Sequence, residues 1–246
     1  MNPLQPDSAP PPIRADLADA IERTLHRLAG PGTWWTGPQR LQLVAETRNA
    51  MRCALCRERK TALSPYAVAG THASLGVLPE HVVDVIHRVR TDANRITVAW
   101  LDGIFAAGLT DAEYVEIVGI VATTTALDTF THAIGVADHA MRAPRAGEPT
   151  RRRPKGAKKH IARVPTVAPA DMTADDVNPY PEYGQVHIQQ ALSLVPDSVI
   201  EFFDLDTALY LKQHWIRDFA TEYRSLSHVQ LELIAAKASV MNGCDY

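Results

Sequence analysis

Two cysteines three positions apart, in the stretch RCALCRERK, are the residues of this chain best suited to chemistry. On a helix, Cys53 and Cys56 would share one face with a Cα separation of roughly 5 Å, which is within the range of a disulfide. Arginine and lysine residues flank the pair and favour the thiolate, the nucleophile of thiol redox chemistry. The pattern favours a redox dithiol, and two alternatives stay open: buried structural cysteines and half of a metal site.

A metal site would need two further ligands beside the cysteines. The sequence offers His72, His81 and His87, but no second closely spaced pair of cysteines or histidines completes the usual zinc pattern. We therefore predict no metal and no cofactor. Covalent haem attachment is excluded, because Arg57 stands where that motif requires histidine.

Length and composition predict a globular, cytoplasmic protein. The chain has 246 residues, 46% of them apolar, which is enough for a packed core. Its three cysteines are too few for a secreted disulfide framework and indicate a reducing compartment. The start of the chain lacks the basic and apolar regions of a signal peptide, and five of its first twelve residues are proline. Residues 1–13 are therefore predicted to be a disordered leader.

Hydrophobic periodicity predicts an all-α protein, with no convincing alternating strand. Residues 14–29 have apolar side chains at helical spacing and end at a Gly-Pro-Gly breaker. A second pattern runs from residue 39 to residue 60 without glycine or proline, so the CxxC pair is predicted to lie on that helix and away from a helix N-terminus. Thr110 and Glu113 form a capping box that opens a long apolar helix. That helix carries Glu116, Asp128 and His132, so we predict a buried helix and no membrane span.

Asp128 and His132 lie four positions apart on this helix and could face each other. They could form a proton relay near the dithiol. The favoured alternative is a polar pair whose hydrogen bonds are satisfied by a neighbouring helix or an oligomer contact.

Composition also divides the chain. Residues 14–141 form the first helical half, and residues 142–185 are rich in proline, glycine and charge, which predicts a linker or an extended arm. Nine Lys or Arg residues and one Glu lie in 142–163. Nucleic-acid binding is not the favoured interpretation, because no aromatic side chain interleaves with these charges for base stacking. Helical patterns resume over 186–246.

The last helix repeats a feature of the first half. The stretches LVAETRNAMRC and LIAAKASVMNGC each carry an apolar helical pattern that ends in a cysteine, Cys53 in the first and Cys244 in the second. In the second copy Glu232 precedes Cys244 by twelve positions. This stretch resembles the signature of the alkylhydroperoxidase AhpD-like, carboxymuconolactone decarboxylase-like family, in which Glu-x11-Cys-x-x-Cys is followed four residues later by His.

The resemblance implies an all-helical fold of two related halves, assembled as a homo-oligomer. It also implies an antioxidant peroxidase that acts on a hydroperoxide or disulfide and is regenerated by a reducing protein partner. By this resemblance Cys56 would attack and Cys53 would resolve. Glu46, two helical turns before Cys53, is the candidate proton acceptor. The alternatives are a general disulfide reductase and a non-catalytic oligomerisation or interaction scaffold.

Each half departs from the family pattern. In the first half, Leu41 stands where the family has glutamate, and Lys60 stands where it has histidine. In the second half, Glu232 and Cys244 match the motif, but the chain ends at Tyr246, one residue short of the second cysteine. The second half is therefore expected to be truncated: either a piece of a longer chain or a copy without its dithiol.

Overall fold

The structure is a computed structural model that describes residues 11–180 and 187–244. The all-α prediction is confirmed, because the described residues form ten α-helices and no strand. Most of the predicted leader, residues 1–10, lies outside the described part of the chain. The helices are α1 (Ala15–Leu28), α2 (Gly37–Ala50), α3 (Ala54–Thr61), α4 (Glu80–Asp92), α5 (Val98–Ala106), α6 (Asp111–Ala133), α7 (His187–Gln190), α8 (Pro196–Leu209), α9 (Gln213–Ile216) and α10 (His228–Met241).

The longest helix, α6, is the centre of the fold and packs against α2, α4 and α8. It begins as the sequence predicts, with Thr110 and Glu113 forming a reciprocal capping box. Its apolar side chains Ile117, Ile120 and Leu127 lie in the main core. No described helix is both long and apolar enough to span a bilayer.

Helices α2 and α4 pack on each other as well as on α6, and this three-helix layer supports the candidate site. Leu43 and Val44 of α2 belong to the same buried cluster as Val85 and Ile86 of α4. Each of these side chains contributes roughly 1.5–3 kcal/mol through burial. This packing therefore fixes the positions of the polar residues that the two helices contribute to the site, Glu46 from α2 and His87 from α4.

The predicted second helix is wrong in one respect, because it is broken just before the dithiol. Helix α2 ends at Ala50, Met51 and Arg52 form a turn, and Cys53 is the extended N-cap residue of the separate helix α3. Backbone hydrogen bonds from Arg52 to Asn49 and from Cys53 to Ala50 close the turn at 2.9 and 3.2 Å. No glycine or proline marks this break. Instead, α3 packs against α4, and the turn lets it bury its cysteines there.

The basic, proline-rich segment runs beside the helices at several points. The N–H groups of Arg145 and Arg151 donate to the carbonyls of Ala29 and Thr33 at 2.7 and 2.8 Å. Several of its cations pair with acids, including Arg153 with Asp111 at 2.6 Å. Residues 181–186, at its predicted end, lie outside the described part of the chain.

Candidate dithiol site

The two cysteines lie at the start of α3, where a helix favours negative charge. Cys53 is the N-cap residue and Cys56 is in the first turn, so the sequence expectation of a site remote from a helix N-terminus is wrong. Both are buried, with exposed fractions of 0% and 4%. Helix α2 supplies Glu46, α4 supplies His87, and the loop between α3 and α4 supplies His72.

A chain of hydrogen bonds leads from Cys56 through His87 to Glu46. The Cys56 sulfur lies 3.1 Å from His87 Nδ1, and His87 Nε2 lies 2.9 Å from Glu46 Oε1. Both side chains of the histidine–glutamate pair are fully buried. The Glu46 carboxylate also accepts hydrogen bonds from the Asn49 amide at 2.9 Å and the Leu75 N–H at 3.0 Å. These partners fix the carboxylate, which in turn fixes the orientation of the imidazole.

A second histidine, whose ring centroid lies 4.3 Å from that of His87, approaches both sulfurs. His72 Nδ1 lies 3.7 Å from the Cys53 sulfur and 3.5 Å from the Cys56 sulfur. Its Nε2 lies 2.8 Å from Asp84 Oδ1, and the indole N–H of Trp100 donates to the other oxygen of Asp84 at 2.6 Å. Each imidazole is thus held between sulfur and a carboxylate.

These contacts favour the thiolate form of the cysteines. Burial raises the pKa of Cys56, but hydrogen bonds to His72 and His87 outweigh this effect and lower that pKa from 9.0 to about 6. Burial also raises the pKa of Cys53, whereas the N–H groups of Cys56 and Ala73 and the ring of His72 give it a net lowering. The sulfurs therefore lie in surroundings that stabilise negative charge.

The pKa values of the two histidines are raised, in the opposite direction to those of the cysteines. Burial lowers the pKa of His72, yet Asp84 and the two cysteines raise that pKa to about 10. For His87 burial again lowers the pKa, and Cys56 and Glu46 raise it overall. Burial raises the pKa of Glu46, but His87 and Asn49 give a net lowering. The arrangement favours a thiolate next to an imidazolium.

The proposed relay partners Asp128 and His132 do not pair with each other. Asp128 is buried and accepts a forked hydrogen bond from Arg48 of α2, with N···O distances of 2.8 and 3.1 Å. His132 is 70% exposed and lies 3.4 Å from Asp138. Residues four apart on a helix can meet, but here the cation on the neighbouring helix is the stronger partner for the carboxylate. The relay hypothesis is therefore wrong. Asp128 is a buried polar residue whose hydrogen bonds are satisfied by the neighbouring helix α2.

The second-half candidates are not in the cluster formed by Cys53, Cys56, His72 and His87. Glu232, on α10, accepts a hydrogen bond from Tyr210 and lies 3.6 Å from His228. Cys244 follows the end of α10 and is exposed. Of the predicted catalytic residues, the structure brings together Cys53, Cys56 and Glu46.

Sequence reasoning did not assign three residues to the dithiol chemistry: Asp84, which no pattern indicated, and His72 and His87, which were named only as possible metal ligands. Lys60, which stands four positions after Cys56, instead lies 3.8 Å from Asp92. No local spacing marks His72 or His87 as partners of the dithiol, because they lie 16 and 31 positions beyond Cys56. Only the packing of α3, α4 and their connecting loop brings them together.

No protein-family model, curated protein or solved structure matches this chain. The AhpD-like resemblance therefore remains a hypothesis about fold detail and function. The function of the protein is therefore inferred from the geometry of the site.

Proposed function

We propose that this protein is a thiol peroxidase that reduces hydroperoxides through the Cys53–Cys56 dithiol in antioxidant defence. The main support for this proposal is the hydrogen-bonded chain from Cys56 through His87 to Glu46. The Cys56 sulfur lies 3.1 Å from His87 Nδ1, and His87 Nε2 lies 2.9 Å from Glu46 Oε1. A nucleophile next to a base that is oriented by a third group is the usual arrangement for an activated thiol. The AhpD-like resemblance, which also combines glutamate, histidine and a CxxC pair, supports the same function.

In the first step, the Cys56 thiolate attacks one oxygen of the hydroperoxide. A sulfur–oxygen bond forms, the oxygen–oxygen bond breaks, and the leaving alkoxide takes a proton from the His87 imidazolium to become an alcohol. Cys56 is oxidised to sulfenic acid and the peroxide is reduced. Glu46 holds the imidazole in place and stabilises its positive charge, as the carboxylate of a catalytic triad does.

In the second step, Cys53 attacks the Cys56 sulfenic acid. A disulfide forms between the two sulfurs, the sulfur–oxygen bond breaks, and the hydroxyl group leaves as water with the proton that the Cys53 thiol gives up. A small dithiol reductant then restores both thiols by exchange and becomes a disulfide itself. The Cys53 residue thus resolves the intermediate that Cys56 forms.

Burial favours a hydroperoxide over a protein disulfide as the substrate. Cys56 is 4% exposed, so a small peroxide could reach its sulfur more easily than a disulfide in a folded protein. Homo-oligomeric assembly and a cytoplasmic location follow from the resemblance and the cysteine content, and they belong to the same proposal.

The test is consumption of cumene hydroperoxide by the full chain, with dithiothreitol as reductant and a metal chelator present. We expect turnover in the wild type and loss of at least about a hundredfold in Cys56→Ser, because the nucleophile is removed. Cys244→Ser is the matched control, since it changes a cysteine outside the cluster. Consumption that is absent from the wild type, or that survives in Cys56→Ser, overturns the proposal.

The same variants separate the alternative functions. A disulfide reductase would reduce a small aromatic disulfide through the cysteines without consuming hydroperoxide. A non-catalytic scaffold would do neither, and its native cysteines would react slowly with alkylating reagents.

A further inference from the structure

The distances in the dithiol site match those of a tetrahedral metal centre. One donor atom from each of Cys53, Cys56, His72 and His87 lies within 4.8 Å of the other three. Three of the sulfur–nitrogen distances between these atoms are 3.7, 3.5 and 3.1 Å. In tetrahedral zinc sites, Zn–S bonds of about 2.3 Å and Zn–N bonds of about 2.0–2.1 Å give a sulfur–nitrogen edge of roughly 3.6 Å.

From this match we propose that the reduced protein binds one Zn²⁺ through the sulfurs of Cys53 and Cys56 and the Nδ1 atoms of His72 and His87. Small shifts of the side chains would equalise the sulfur–nitrogen distances around an ion. Two thiolates and two imidazoles are ligands that zinc prefers, whereas magnesium and calcium prefer oxygen.

The surroundings of the two histidines match those of metal ligands. Each ring directs Nδ1 towards the sulfurs and Nε2 towards a carboxylate: His87 towards Glu46 at 2.9 Å and His72 towards Asp84 at 2.8 Å. A metal-binding histidine commonly donates its other N–H to such a carboxylate, which fixes the ring and leaves the ligating nitrogen unprotonated. The carboxylates are themselves anchored, Glu46 by Asn49 and Asp84 by Trp100.

The ligands come from three segments that an ion would tie together. The cysteines belong to the start of α3, His87 to α4, and His72 to the loop between them. That loop contains one 3-10 turn, at Pro65–Ala67, and an ion would add a further tie between the loop and the two helices. With four protein ligands the site would be closed to further ligands, which is the property of a structural or storage site.

This inference goes beyond the proposed peroxidase and does not require it. The two uses of the site exclude each other, because a thiolate bound to zinc is not available to attack a peroxide. A zinc ion would therefore protect the reduced dithiol and inhibit peroxide consumption.

The experiment measures metal binding on the full chain after reduction and removal of metal with a chelator. Titration with Co²⁺ should give thiolate charge-transfer absorption and strong visible bands typical of tetrahedral coordination, saturating at one ion per chain. Competition with a chromophoric chelator then gives the zinc affinity.

Three variants decide the assignment. His72→Gln removes a ligand, and we expect its zinc affinity to fall by more than the roughly 10–100-fold expected for Asp84→Asn, which removes only a partner of that ligand. His81→Gln, a histidine on α4 outside the cluster, should bind zinc like the wild type. If His72→Gln fails to fold by circular dichroism, Asp84→Asn still provides the test.

A cobalt spectrum without tetrahedral bands overturns the proposal, as does a zinc affinity unchanged in both His72→Gln and Asp84→Asn. Loss of binding in Cys244→Ser would also overturn it, since that result identifies an exposed thiol as the ligand. A failure of the zinc proposal can be told apart from a failure of the peroxidase proposal. Cobalt and zinc binding need no peroxide, and the peroxide assay is run in the presence of chelator.

Discussion

The sulfur of Cys56 and Nδ1 of His87 lie 3.1 Å apart, although 31 positions separate the two residues in the chain. The contact exists because α3 packs against α4. The residue four positions after Cys56 is Lys60, and a histidine from the neighbouring helix approaches the sulfur instead.

The first prediction concerns Glu46, which orients His87. We expect Glu46→Gln to lower kcat/KM for cumene hydroperoxide by about 10–100-fold, because the imidazolium loses its carboxylate partner while the thiol remains. The measurement is peroxide consumption across a range of substrate concentrations in chelator.

The matched control is Glu58→Gln, which makes the same chemical change at an exposed position of α3. Glu58→Gln should retain wild-type kinetics. Equal kinetics for Glu46→Gln and the wild type would show that the buried carboxylate has no part in the reaction.

The second prediction concerns the oxidised state. One equivalent of hydrogen peroxide should convert the three thiols of the reduced chain into one Cys53–Cys56 disulfide and one remaining thiol, that of Cys244. The nearby resolving thiol should react with the sulfenic acid before a second peroxide does. Alkylation under denaturing conditions and peptide mass spectrometry measure the result.

In Cys53→Ser the resolving thiol is absent, so a sulfenic acid on Cys56 should accumulate and react with dimedone. A dimer linked through Cys244, without an internal disulfide, would contradict the assignment of the dithiol.

The third prediction concerns Asp128 and His132, which lie four positions apart on α6. Asp128→Ala should lower the free energy of unfolding by about 2–3 kcal/mol, because it leaves the Arg48 guanidinium without its buried partner. The loss should fall below that of a fully buried pair, since the Arg48 side chain is 24% exposed.

His132→Ala removes a side chain that is 70% exposed and should change the free energy of unfolding by no more than about 0.5 kcal/mol. Urea denaturation of both variants makes the comparison. Equal losses would mean that the two residues act as a pair after all.

The fourth prediction follows from Glu116, which is 1% exposed on α6. Burial raises its pKa to about 7, against the lowering effects of Arg40 and the Trp34 N–H. The folded state therefore binds the proton more tightly than the unfolded state, whose pKa lies near 4.5. This stabilisation is present below about pH 4.5 and is lost as pH rises through about 7, a change of about 3 kcal/mol in the free energy of unfolding.

Glu116→Gln removes this titration. The stability difference between variant and wild type should therefore move in favour of the variant between pH 5 and pH 8, as measured by urea denaturation at each pH. Glu148→Gln, at an exposed position, is the matched control. A difference that stays constant with pH for Glu116→Gln would contradict a protonated, buried carboxyl.

The sequence by itself determined the all-α class, the start of the long helix α6 and the dithiol motif. The apolar spacing of α1 and the Thr110–Glu113 capping box of α6 both depend on residues within about four positions of one another. Such short-range patterns are visible in one sequence. The Cys-x-x-Cys spacing is of the same kind.

Only the tertiary structure decided what surrounds the dithiol. The break before Cys53 has no glycine or proline to announce it, and the contacts with His72 and His87 join residues far apart in the chain. The same packing gave Asp128 the partner Arg48 instead of His132. The physical reason is that burial against a neighbouring element sets helix ends and polar pairs over such distances, and local spacing carries no information about which elements meet.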